Sequence, residues 1–197
     1  RDVTFVATGG PLAADHYTVT LRSADNGFRH ETTGQWLDGN RDGVPGGHGV
    51  YTFEVAASPA RVVSLPDLAR GTSQSVAVPA DGAGLPIRLS DGSGVIRVDF
   101  TLCWDPALLH VTGVDLSPTL QAAGWGSAVN LLTPGRAVVT LAGTSSASSA
   151  ALDLVTIQAD VPSGAPYGAV QILRFENLRL NEGLVLAVAD EAIHKVV

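Results

Sequence analysis

The sequence predicts an all-β protein built from sandwiched sheets. Apolar residues recur at every second position in segment after segment, the period of a strand with one buried face. Glycine (22) and proline (11) punctuate those segments. No stretch carries the longer apolar period of an extended helix. Many short strands separated by Gly- and Pro-rich turns indicate a β-sandwich.

Each element follows from the same pattern. Asp2–Thr8 and His16–Arg22 read as strands, the second with Tyr17, Val19 and Leu21 on one face. Residues 9–15 between them carry turn residues, giving a hairpin with a long loop. Residues 23–49 form a polar, glycine-rich loop, too long for a simple turn and of a length that usually serves a function. Val50–Val55 is the next strand. A linker at Ala56–Ala60 divides a first module (1–57) from a second (63–197), with 58–62 between them.

In the second module the expected strands are Arg61–Leu65, Ser73–Val78, Pro86–Leu89, Val95–Trp104 and Leu109–Asp115. Ala128–Leu132, Arg136–Ala142, Leu152–Val161, Gly168–Phe175 and Leu184–Ala189 complete the series. Val98, Phe100, Leu102 and Trp104 face a core, while Arg97, Asp99, Thr101 and Cys103 face outward. In Leu152–Val161 the better core set is Val155, Ile157, Ala159 and Val161. Ser117–Gly124 forms at most a short helical turn. Asn181-Glu182-Gly183 reads as a turn, and the Ser/Ala run at 145–150 as a flexible loop.

Composition bounds the function. The chain has 197 residues, 45% hydrophobic and 16% charged, enough apolar residue for a sizeable core. Its formal net charge is −7, and 11 of its 12 basic residues are arginine, with Lys195 the exception. That acidity excludes a nucleic-acid binder and a polybasic lipid anchor. No apolar run approaches the roughly 20 residues that insert across a bilayer. No secretory signal is present, so the chain reads as a mature segment or an excised piece. One cysteine, Cys103, excludes an internal disulfide and a multi-cysteine zinc site.

The strongest chemical signal is Asp38-Gly39-Asn40-Arg41-Asp42-Gly43-Val44. Alternate oxygen ligands at Asp38, Asn40 and Asp42, a glycine for the sharp turn, and the Val44 carbonyl match the first half of a calcium loop. The acid that usually closes such a loop is missing, since Gly49 stands there. Asp25 or Glu31 is the candidate replacement. The alternative is an Asx turn whose carboxylates bond only to backbone amides.

Catalytic signals are absent. His16, His30, His48, His110 and His194 are scattered, with no His-Glu-x-x-His pair and no Gly-x-Ser-x-Gly elbow. Trp36 and Trp125, both beside glycines, are candidates to stack on sugar rings or to anchor loops on a sheet. The chain reads as a non-enzyme.

Two resemblances add to this reading. Gly71–Pro79, then Val98–Val111 with its Trp104-Asp105-Pro106 turn, then Leu154–Val161 resemble segments of cohesins and their carbohydrate-binding-module relatives. That resemblance implies a nine-stranded jelly-roll sandwich over about 61–197, and a protein partner such as a dockerin-like module. It transfers no contact residue. Gly10–Leu21, Gly34–Gly43 and Tyr51–Val55 resemble the end of a bacterial immunoglobulin-like domain. Only about three of its roughly seven strands are present. The exposed edges of such a partial sandwich are either those of a fragment, or are completed by the second domain or by neighbouring copies, giving filaments if the symmetry does not close.

The expectation is therefore a non-catalytic structural or adhesion module of a large secreted or surface bacterial protein. It is extracellular, calcium-stabilised in its long loop, and docks a protein partner. A carbohydrate-binding module, with polysaccharide as ligand, is the alternative.

Overall fold

The computed structural model describes residues 7, 10–80, 82–148 and 150–197. The strand expected at Asp2–Thr8 lies, apart from Ala7, outside the described residues. The chain divides into two compact units, Leu12–Ser58 and a larger one holding Pro59–Val197.

The smaller unit holds two strands among its described residues, β1 (Asp15–Leu21) and β2 (Gly49–Val55). They pair antiparallel, with Tyr17 opposite Phe53 and Val19 opposite Tyr51. The Tyr17 and Phe53 rings stack with centroids 5.5 Å apart. Period-two alternation puts these apolar side chains on one face, yet Tyr51 and Phe53 remain exposed. Two strands are too few to cover a face within the unit.

The larger unit is a sandwich of two sheets. Its strands are β3 (Arg61–Ser64), β4 (Leu68–Arg70), β5 (Leu85–Leu89), β6 (Arg97–Cys103), β7 (His110–Leu116), β8 (Gly126–Asn130) and β9 (Arg136–Ala142). They continue as β10 (Leu152–Asp160), β11 (Val170–Leu180), β12 (Ala187–Asp190) and β13 (Ala192–Val196), with one short helix, α1 (Pro118–Ala122). One sheet runs β12-β3-β5-β10-β7 and the other β4-β13-β11-β6-β9-β8. β3 and β4 are halves of one run that leaves the first sheet for the second. β12 and β13 do the same beside it, pairing parallel with β3 and β4 respectively. With each crossing run taken as one strand, the described residues form the nine-stranded jelly roll expected.

The core lies between the inner faces. Val98, Phe100 and Leu102 of β6 meet Leu141, Ile157 and Leu173, all buried. Phe100 and Phe175 pack edge to face, 5.6 Å between centroids, a geometry that aligns a ring edge with the opposing π-face. Trp104, expected in the core, packs on it only partly buried.

Several expectations are corrected. Ser73–Val78 is not a strand. Ser73 takes φ 61°, and the segment docks on β10 through one bridge, Ser75 to Asp160. In β10, Leu152 and Leu154 are buried as well as Val155 and Ile157. A bulge between Asp153 and Val155 turns two adjacent residues to the same side. β11 runs on past Phe175 to Leu180, because a bulge between Glu176 and Arg179 absorbs the irregularity. The strand expected from Leu184 begins at Ala187. The Ser/Ala loop is tied down: the Ala147 amide donates to Val95 O at 2.8 Å, and Ala147 is buried.

Turn chemistry behaves as expected at the corner after β6. Asp105 Oδ1 accepts from the Ala107 amide at 2.8 Å. The Asp105 amide donates to Gln171 Oε1 at 2.6 Å, and Gln171 Nε2 donates to His194 Nδ1 at 2.9 Å. With Nδ1 accepting, the imidazole proton sits on Nε2, which is buried without a hydrogen-bond partner among the described residues. Burial holds the His194 pKa below its usual 6.5. At Asn181-Glu182-Gly183 a single turn of 3-10 helix forms. There Asn181 Oδ1 accepts from the Ile96 and Arg97 amides at 2.9 and 3.1 Å.

Ile157→Ala should lower the unfolding free energy by about 2–5 kcal/mol in urea denaturation, through lost burial and a residual cavity. Val138→Ala, at an exposed position, should change it by under about 0.5 kcal/mol. Stability should also fall as pH drops below 6.5, because the unfolded chain takes a proton at His194 that the folded chain refuses. Above that pH the histidine is neutral in both states and contributes no slope. His194→Leu should flatten the loss, read as urea midpoints at successive pH values from neutral to acidic.

Candidate docking face

The outer face of β8-β9-β6-β11 is the most chemically distinctive surface of the larger unit. Cross-strand register sets out its rows. Asn130, Val138, Thr101 and Glu176 lie side by side, and so do Ala128, Thr140, Asp99 and Arg179. Arg136, Cys103 and Arg174 form a third row. β8 is exposed along its whole length, and Val138 adds an exposed apolar centre.

Four arginines, Arg97, Arg136, Arg174 and Arg179, share this face with two strand acids, Asp99 and Glu176, and Glu182 borders it. The acids are not idle. Arg97 grips Asp99 with two bonds of 2.7 and 2.9 Å, and Thr140 Oγ1 donates to Asp99 Oδ1 at 2.8 Å. The Arg97 bonds lead in holding the Asp99 carboxyl below its usual range. Arg136 reaches Glu176 at 2.8 Å. Cys103 lies beside that pair, and its thiol is pushed up, first by burial and then by the Glu176 charge. Arg97, Asp99, Asn177, Arg179 and Glu182 line a hollow here. On a chain of net charge −7, this face concentrates positive charge that can attract an acidic surface.

The residues singled out in the sequence sit elsewhere. In the smaller unit, Asp38 Oδ1 and Oδ2 accept from the Asp42 and Gly43 amides at 3.1 and 2.9 Å. Asp42 Oδ1 accepts from the Val44 amide at 2.8 Å, and Asn40 Nδ2 donates to Asp42 Oδ2 at 2.8 Å. The Val44 bond leads in lowering the Asp42 pKa. The loop thus has the hydrogen bonds of an Asx turn. No group of three or more His, Cys, Asp or Glu among the described residues is arranged to hold a metal. Asp25, a candidate replacement ligand, is bonded to Arg29 and to Trp36 Nε1.

The tryptophans part company. Trp36 is 47% exposed. Trp125 is only 5% exposed, and its Nε1 donates to Ser145 O at 3.2 Å. Gly143 packs so close to its ring that a Cβ there would lie 2.3 Å from Nε1. Its face is unavailable to a sugar, which corrects its candidacy for stacking. The outward residues of β6 were visible as alternation, but their neighbours on β9 and β11 were not, since register is not written in any one segment.

No protein-family model matches the chain, and no curated protein matches it. Solved structures do. The sixth cohesin of scaffoldin B from Acetivibrio cellulolyticus, in complex with a dockerin, superposes with a TM-score of 0.58 at 16% identity, covering 70% of this chain and 99% of that one. The larger unit has the cohesin fold. The OlpA cohesin from Clostridium thermocellum, also in complex with a dockerin, gives 0.58 at 11% identity over 70% of this chain and 99% of that one. A non-cellulosomal cohesin from the archaeon Archaeoglobus fulgidus gives 0.57 at 10% identity over 70% and 91%. The residues Pro59–Val197 make up about that share of this chain. No helix among the described residues is long and apolar enough to cross a membrane.

Proposed function

We propose that the chain is a non-catalytic, extracellular or surface-displayed segment of a larger bacterial protein, whose cohesin-like unit docks a dockerin-like partner. The observation that carries it is the arginine-rich outer face of β8-β9-β6-β11 on an acidic chain with a cohesin fold. Flat sheet faces with an apolar centre and charged surround suit protein partners, and the charge favours one with an acidic surface. Structural neighbours that hold dockerins support the partner class. Binding of dockerin modules should be measured by calorimetry. A bound dockerin whose affinity drops at least about tenfold with Arg179→Glu or Val138→Asp supports the reading. Binding unchanged by both variants, or no dockerin bound, overturns it.

Calcium stabilisation of the long loop belongs to the same reading. The loop spacing supports it, and carboxylate oxygens that accept one amide keep a second lone pair. Asp38, Asn40, Asp42 and the Val44 carbonyl would be the ligands. Titration of chelator-treated protein should release heat and raise the melting temperature, and Asp38→Ala should abolish both. No heat on the wild-type chain sinks the calcium claim. The exposed aromatic face of β1 and β2 supports completion of the smaller unit by strands of neighbouring copies, hence filaments. The alternative, carbohydrate binding, now rests on Trp36, whose exposed ring can stack on a sugar.

A further inference from the structure

A buried polar chain ties the corner after β6 to two strands of its own sheet. That corner, residues 104–109, carries the chain from β6 to β7. Its Asp105 amide donates to Gln171 Oε1 of β11 at 2.6 Å, and Gln171 Nε2 lies 2.9 Å from His194 Nδ1 of β13. Gln171 and His194 are register partners, and both are buried. Each link fixes the next. A backbone amide can only donate, so it holds the Gln171 oxygen toward the corner. The Gln171 nitrogen is left facing β13, where it too can only donate, so His194 Nδ1 must accept. The chain therefore has one polarity, and it requires a neutral ring. A proton on Nδ1 sets donor against donor. Turning the Gln171 amide over satisfies the charged ring, but then sets the NH2 group against the Asp105 N–H. With Nδ1 protonated, the two bonds cannot coexist.

We propose that His194, Gln171 and the Asp105 amide form a proton-operated latch, which holds the corner to β11 while the ring is neutral and releases it when Nδ1 takes a proton. The release is local. The corner's internal bonds, from the Leu108 and Leu109 amides to Asp105 O at 3.0 Å each, do not involve Gln171. Leu108 packs outside the main core, with Val161, Ala165 and Val196. The corner can thus move as a unit while β6 and β9 stay paired. On the elements packed against the ring, the charged groups are engaged elsewhere or exposed. Leu68 of β4 is the register partner of His194 on that side. Beside it, Asp67 accepts from the Ile193 amide, and Arg70 donates to the Ala69 and Ala77 carbonyls. Lys195 on β13 and Arg174 on β11 are exposed. The Asp105 carboxylate accepts from the Ala107 amide. On the opposite sheet, His110 and Asp160 pair with each other at an exposed site. Burial is what holds His194 below its usual 6.5, which keeps the latch closed at neutral pH. The released form binds the proton more tightly, so below that value acid favours it by up to about tenfold per pH unit. The latch lies in the sandwich interior, so it is independent of the docking reading above.

Amide hydrogen exchange of the full chain, followed by nuclear magnetic resonance from about pH 7.5 to about pH 5, tests this. Rates are corrected for the intrinsic effect of pH on exchange. Protection of the Asp105 amide should fall at least about tenfold over that range, while the amides of β6 and β9 keep theirs. His194→Gln leaves Gln171 an acceptor that does not titrate, so in that variant the Asp105 protection should stay constant. The ring nitrogen shifts of the wild-type chain give a readout that needs no variant: the neutral imidazole should carry its proton on Nε2. A neutral ring protonated on Nδ1 overturns the proposal. So does Asp105 protection that is unchanged over the range, or that is lost together with the amides of β6 and β9. A loss that persists in folded His194→Gln also overturns it, since the release would then belong to a different group.

Discussion

The larger unit depends on two chain segments that change sheets side by side. β3 passes into β4 and β12 into β13, and the two runs stay parallel neighbours in both sheets. The paired runs thus carry the same parallel pairing from one sheet into the other along a single edge of the sandwich. The inner faces then meet at the spacing side chains require, and Phe100, Ile157 and Leu173 become fully or almost fully buried.

The same crossing places β12 last in its sheet among the described residues. β12 must run parallel to β3 to accompany it across, and it comes late in the chain, after β11 has returned. No described strand lies beyond it in its sheet. On the other sheet, β13 is flanked on both sides, by β4 and β11. Among the described residues, one run of chain is thus flanked on both sides in one half and on one side in the other. Its composition follows: Leu184–Ala189 is apolar and uncharged, while β13 carries the buried His194 and its link through Gln171 to the Asp105 corner.

How much was legible in the sequence depends on length and on bulges. β6 and β9 could be read because seven residues of alternation exceed chance and both faces differ in polarity. β4, at three residues, is too short to show a period. β13 has buried residues at Ala192, His194 and Val196, but a histidine on the apolar side hides the pattern. Bulges in β10 and β11 break the period within a strand, so Leu154 and Leu180 appeared on the wrong face or beyond the end. Trp125 illustrates the other limit. Flanking glycines suggested an exposed ring, whereas Gly143, remote in sequence, leaves room for a buried indole.

The candidate docking face was the least legible part, and the reason is physical. Its charge is assembled across strands, not along them. Arg97 and Asp99 are near in sequence, but Thr140, Arg136, Glu176 and Arg179 join them only through register. Internal pairing also tempers the face. Asp99 is already held by Arg97 and Thr140, and Glu176 by Arg136. Neutralised acids leave Arg174 and Arg179, both exposed, as the cations least committed within the described residues of the face. A partner that presents carboxylates opposite those two need not break an existing pair to bind. It would meet a surface whose remaining charges are prearranged, which lowers the ordering cost of association. In the docking reading proposed above, the discriminating contacts would lie at the β11 side of the face, where the bulge between Glu176 and Arg179 sets the position of Arg179 opposite Asp99.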